Sequence, residues 1–171
     1  TKKLNLILIV SSLKQCYKEF TMKKIWMRKD VAIILTIIWM IVIFYLSHQP
    51  AKTSSELSST LLEIVLTFLS VLPISFDPEL LHIFIRKLAH FSAYFILGML
   101  VYHSVYLFCK HENRSIIVAI TISIIYAISD EFHQTFIPGR SGEFRDVLID
   151  SFGALTGIIF YVVLLFVFRK S

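Results

Sequence analysis

Apolar residues fall into four long runs along this chain, and ionisable residues gather where those runs begin and end. The first run is Val31–Leu46, "VAIILTIIWMIVIFYL", extended upstream by Ile25, Trp26 and Met27. The others are about Leu88–Cys109, Ser115–Ser129 and Val147–Phe168. A bilayer core takes about 20 helical residues, with a range near 17–25. The first and third runs are short on that scale unless their polar ends are buried within a bundle, which puts Asp130 at membrane depth. The pattern predicts an all-α polytopic membrane protein, with four transmembrane helices packed as a small bundle. Its spans are expected at about 28–46, 88–109, 115–133 and 147–168.

A fifth apolar stretch, Leu61–Leu72, contains Glu63 and is followed by Pro73. Its flanks, "SHQPAKTSSELSST" and "PISFDPEL", are rich in turn formers. Segments this short are more often interfacial or re-entrant than spanning, so an external amphipathic or re-entrant helix is expected. Residues 1–24 are set apart as an N-terminal extension, because Met22-Lys23-Lys24 reads as a natural start. The apolar core Leu4–Val10 is short for a signal peptide, and no small-x-small cleavage site follows it. Residues 25–171 then make one membrane domain.

Composition agrees with the pattern. At 171 residues the chain is one domain at most, and 56% of it is hydrophobic, with 15 Phe and 7 Tyr. A soluble domain of this size cannot bury that much apolar surface, so the bilayer is the expected solvent. The net charge of +5 suits a membrane protein whose cytoplasmic ends favour Lys and Arg. No basic stripe interleaved with aromatics occurs, and no nucleic-acid partner is expected. Cys16 and Cys109 form neither a disulfide framework nor a zinc pattern.

Lys and Arg placement sets the topology. With four spans and a cytoplasmic N-terminus, Lys23, Lys24, Arg28, Lys29, Lys110, Arg114, Arg169 and Lys170 lie inside. Lys52, Arg86, Lys87, Arg140 and Arg145 lie outside. Counting Leu61–Leu72 as a further span leaves the balance unchanged, so segment length and Glu63 favour four spans with both termini cytoplasmic.

On this topology three polar stripes meet near the outer mouth of the bundle. Arg86, His90 and Tyr94 lie four apart on the second helix, hence on one face. The third helix ends with Tyr126, Asp130 and His133 or Gln134, and the fourth opens with Asp146, Asp150, Gly153 and Gly157. Pro138-Gly139 supplies the turn between them. Gly153 and Gly157 form a small-xxx-small pair suited to close helix packing, and Gly98 is assigned the same role.

An ionisable side chain in the bilayer centre costs about 2.5–3.5 kcal/mol on insertion scales, so such groups persist when paired or functional. A salt-bridge lattice, such as Arg86 with Asp130 or Arg145 with Asp150, would hold helix ends together. Alternatively, Arg86, Lys87, His90, Arg140 and Arg145 would suit a phosphate or carboxylate, which guanidinium groups grip bidentately. Asp130, Glu131, Asp146 and Asp150 with His90 or His133 could instead hold a divalent metal. His90, Asp130 and Asp146 are the candidates for acid–base chemistry. No nucleophile elbow, P-loop or dinucleotide fingerprint is present, and no cofactor is expected.

"RKLAHFSAYFILGML", "SDEFHQTFIPGRSGEFRDVLIDSFGALTG" and the "SHQP" after the first span resemble the VanZ family of bacterial membrane proteins. The resemblance covers roughly Val31 to Phe168. The family's Lys-x-x-His-Phe-x-x-Tyr pattern falls on Lys87, His90, Phe91 and Tyr94. Its Asp-Glu-x-x-Gln falls on Asp130, Glu131 and Gln134, its Pro-Gly-Arg on Pro138, Gly139 and Arg140, and its later Asp on Asp146. Four residues on, where the family commonly has Asn, this chain has Asp150, so no role needing an amide donor carries over there.

The resemblance implies a part in low-level resistance to glycopeptide antibiotics, notably teicoplanin, for the family's namesake. For this chain the expectation is an envelope protein with an extracytoplasmic anion-binding site. The expected ligands are lipid-linked cell-wall precursors or anionic surface polymers, with membrane lipids as its surroundings. The rivals are a membrane-embedded enzyme acting on a lipid head group and a small proton-linked lipid transporter.

Overall fold

The computed structural model of the chain describes residues 29–50, 59 and 77–170, and the elements among them are all helices. They are α1 (Lys29–Ser47, 19 residues), α2 (Pro78–Cys109, 32 residues), α3 (Glu112–Gln134, 23 residues) and α4 (Phe144–Lys170, 27 residues). The N-terminal extension and the Leu61–Leu72 stretch lie outside the described residues.

Each helix is long and apolar enough to cross a membrane. Their outward faces carry Ile34, Ile41, Ile117, Ile125, Phe152 and Phe160, all exposed. Such apolar surface around a whole bundle fits lipid and not water. The protein is a multi-pass membrane protein.

α2 starts at Pro78, well before the Leu88 expected from hydropathy. Asp77 caps it by accepting the Glu79 N–H at 3.0 Å, and Pro78 occupies the first turn, where its missing N–H costs nothing. At 1.5 Å per residue the helix is about 48 Å long, more than a bilayer core of about 30 Å. Capping chemistry therefore sets the helix start, while hydropathy marks only the membrane-embedded part. Lys110, in the left-handed conformation at φ 53°, ends α2 and turns the chain into α3.

Contacts between helices give an up-down-up-down order. The Trp39 indole N–H donates to the Ala93 carbonyl at 2.8 Å, and the Thr36 and Ser104 hydroxyls lie 2.9 Å apart, so α1 and α2 run antiparallel. The Tyr126 hydroxyl donates to the Met40 carbonyl at 2.6 Å, and Ser47 reaches Asp130 at 2.8 Å, so α1 and α3 run parallel. The closest packing is between α2 and α4. A Cβ on Gly98 would meet the backbone of Ala154, one on Gly153 that of Phe91, and one on Gly157 that of Phe95. Without side chains at these three positions the two helices touch backbone to backbone.

The core around this seam comprises Ile43, Tyr94, Leu97, Val101, Ala154 and Ile158, joined by Ala119 and Ala127 of α3. On α3, Ser115, Ala119, Ser123, Ala127 and Glu131 recur every four residues and are all buried. That face of small side chains lets α3 settle against its neighbours.

Candidate functional site

Four chain segments converge at the end of the bundle that holds the α3–α4 turn. The turn is fixed locally. The Arg140 N–H donates to the Ile137 carbonyl at 3.1 Å, and Gly139 sits at φ 75°. This is a type II arrangement, with Pro138 at its second position and the glycine where a positive φ is required. Glu131 pins the far side of the loop by accepting the Glu143 N–H at 2.7 Å.

Asp130 is the hub. Its Oδ2 accepts from the Ser47 hydroxyl at 2.8 Å and from the Gln134 amide at 3.3 Å. Arg140 donates through Nη1 to the Ser47 carbonyl at 3.2 Å, so the end of α1 is held from both sides. On α2, Lys87 pairs with Asp146 at 2.5 Å, and His90 Nδ1 lies 3.4 Å from Asp150 Oδ1. The second distance is that of an ion pair without a well-formed hydrogen bond. Tyr94 lies within electrostatic reach of Asp130, Asp150 and Tyr126, and its ring is 6.2 Å from that of Tyr126.

Burial is deep. Asp150 is 0% exposed, Tyr94 and Gln134 1%, Asp130 3% and Glu131 4%. Several of their polar atoms nevertheless have no hydrogen-bond partner: Tyr94 Oη, Asp130 Oδ1, Glu131 Oε2, Arg140 Nε and both oxygens of Asp150. Each such atom costs about 1–3 kcal/mol, and clusters of them are rare in native structures. Arg140 lies outside the spans. Burial pushes its guanidinium below the ordinary value and neighbouring Arg86 adds to this, while Glu131, Asp130 and Asp146 oppose.

The residues singled out in the sequence are distributed as follows. Lys87, His90, Tyr94, Asp130, Glu131, Gln134, Arg140, Asp146 and Asp150 meet in one buried or half-buried cluster. Arg86 is half-buried beside it and Arg145 is exposed. Neither Arg86 with Asp130 nor Arg145 with Asp150 forms an ion pair; the pairs at this end are Lys87–Asp146 and His90–Asp150. Among the described residues no three His, Cys, Asp or Glu side chains converge as metal ligands.

Two participants escaped the stripe argument. Ser47 holds Asp130, and His48 Nδ1 lies 3.1 Å from His133 Nε2, the two rings stacked at 17° with Phe44 alongside. The signal was present, since Ala32, Thr36, Ile43 and Ser47 share one buried seam at helical spacing. It was missed because the short polar "SHQP" reads as a loop.

A family model described as VanZ/LLP1 matches residues 32–166, most of the chain. Neither a curated protein nor a solved structure matches it.

Proposed function

The chain belongs to the VanZ/LLP1 family, and from that premise we propose that its polar bundle end binds the head group of anionic, lipid-linked molecules of the bacterial envelope. One observation carries this reading: buried, unpartnered polar atoms from α2, α3, α4 and the α3–α4 loop gather at one end of a membrane bundle. Groups that do nothing but lock helices would be satisfied by one another. Groups left with open hydrogen-bonding capacity suit a polar visitor.

A lipid-linked molecule fits the surroundings. Its apolar anchor stays in the bilayer against the exposed faces of the helices, while its phosphate meets cations at the site's margin. Among the described residues Arg86 and Arg145 have no ion-pair partner, and guanidinium groups hold phosphate oxygens in pairs. With four spans and both termini in the cytoplasm, as segment length and Glu63 favour, the site opens on the outer face. Cell-wall precursors and anionic surface polymers are the matching ligands on that face. Engaging them limits what a lipophilic glycopeptide such as teicoplanin can reach at the membrane surface.

The test pairs a binding measurement with a growth measurement. The full chain is purified in lipid nanodiscs and titrated with a polyprenyl-pyrophosphate-linked wall precursor, and an expressing bacterial strain is assayed for teicoplanin susceptibility. Native protein is expected to bind the precursor and lower susceptibility. Arg140→Gln is expected to abolish both with membrane insertion intact. Unchanged binding and resistance in that variant would overturn the proposal.

A second reading, an enzyme acting on the same head group, draws on the His90–Asp150 pair, in which a carboxylate orients an imidazole that could move a proton. Release of a labelled head group by native protein, and its loss in His90→Gln, would replace the binding reading with this one.

A further inference from the structure

Resting on that head-group reading, we propose that the deep part of the site selects a ligand carrying a primary ammonium group beside its phosphate. The buried atoms left open are of unequal kinds. Four are carboxylate oxygens without a well-formed hydrogen bond: Asp130 Oδ1, Glu131 Oε2 and both oxygens of Asp150, of which Oδ1 faces His90 Nδ1 at 3.4 Å. Set against them are one guanidinium N–H, on Arg140, and the hydroxyl of Tyr94. The interior is therefore rich in acceptors and poor in donors.

Charge points the same way. The nearest basic side chains are already engaged, Lys87 by Asp146 and His90 by Asp150, while Arg140 gives one N–H to the Ser47 carbonyl. A phosphate pushed among these acidic oxygens would bring further acceptors to groups that lack donors. An ammonium group would bring three N–H donors to them. Tyr94, 1% exposed, adds a hydroxyl that lies beside Asp130 and Asp150 without a well-formed hydrogen bond. It lies on a different helix from the acids, so the open capacity is not a property of the acidic cluster alone.

The free cations lie elsewhere. Arg145 is exposed and Arg86 half-buried, both without an ion-pair partner among the described residues. The site is thus polarised, with acceptors at depth and guanidinium groups toward the margin. A molecule that joins an ammonium to a phosphate through a short linker matches that polarity, its amine inward and its phosphate outward. An aminoethyl phosphate on a membrane lipid has this chemistry, and so does a soluble amino-alcohol phosphate.

Native mass spectrometry of the full chain in detergent tests this, with lipids of matched acyl chains in competition. Phosphatidylethanolamine and phosphatidylcholine share their charge and differ in N–H donors. Phosphatidylglycerol is anionic and lacks the amine. The expected result is retention of phosphatidylethanolamine about tenfold over either competitor. That preference should disappear in Asp130→Asn and in Asp150→Asn. Equal retention of phosphatidylethanolamine and phosphatidylcholine, or a preference for phosphatidylglycerol, would overturn the inference and leave head-group binding standing. Retention of no lipid and no wall precursor would overturn both. Soluble phosphoethanolamine supplies the last arm: full competition supports the inference with a free ligand as the source, and none supports it with a lipid. The lipid series on native protein decides the matter even where a variant fails to fold.

Discussion

Toward the Lys110 loop the bundle pairs its buried polar groups with one another, whereas toward the Pro138-Gly139 turn it leaves many of them open. At the first end the Tyr161 hydroxyl lies 2.7 Å from His103 Nδ1 and Thr36 meets Ser104 at 2.9 Å, while Ser115 is satisfied within its own helical turn by the His111 carbonyl at 2.7 Å. At the second, Tyr94, Asp130, Glu131, Arg140 and Asp150 each keep at least one buried atom without a hydrogen bond. The hydroxyl of Ser123, between the two, is also unpartnered. The same helices in the same bilayer build both ends, so the difference does not come from the medium. Paired polar groups fix how helices sit against each other. Open ones are costly to keep in a bilayer, and that cost is understandable where a ligand offsets it.

The comparison can be broken hardest at the seam that both ends share. Gly157→Val would drive a branched side chain into the backbone of Phe95 and separate α2 from α4. Overpacking of this kind costs about 1–3 kcal/mol, and more where backbone is the obstacle. Thermal unfolding in detergent should show a large drop in midpoint, with wall-precursor binding lost as well. A normal midpoint would mean that the close approach is not what orders the bundle.

A sharper contrast sets one residue from each end side by side. Tyr161→Phe leaves buried His103 without the tyrosine hydroxyl and should lower stability by about 1 kcal/mol, with precursor affinity unchanged. Asp150→Asn exchanges a fully buried carboxylate for a neutral amide of the same shape. It should cost some stability, because His90 loses its acidic partner, and weaken ligand binding about tenfold. If both variants lose stability and neither loses affinity, the two ends are alike and the polar end is only a brace.

The smallest effect is expected at the margin. Arg145 is exposed and has no ion-pair partner among the described residues, so Arg145→Ala should leave stability within about 0.5 kcal/mol. Its loss should reduce precursor affinity two- to threefold at low salt, and added salt should erase the difference, as for any screened surface charge. An effect that persists in high salt would place Arg145 in direct contact with the ligand.

Much of this was legible in the chain itself. Apolar runs at or just under spanning length, interrupted by charge only at their ends, dictate transmembrane helices, because a bilayer tolerates no unpaired backbone. Helical spacing alone puts His90 with Tyr94, and Asp130 with Gln134, on common faces. Pro138-Gly139 specifies its turn through fixed and positive φ values. Partners were not legible. Periodicity fixes the angular position of a residue on its own helix and says nothing about the rotation or register of the next one. Those depend on where backbones can touch, which Gly98, Gly153 and Gly157 settle only once α2 and α4 are packed. Tertiary structure therefore decided that Lys87 takes Asp146, that His90 faces Asp150, and that Ser47 reaches across from α1 to hold Asp130. It also decided which atoms stay open, since an unpartnered group is defined by the neighbours that packing places around it.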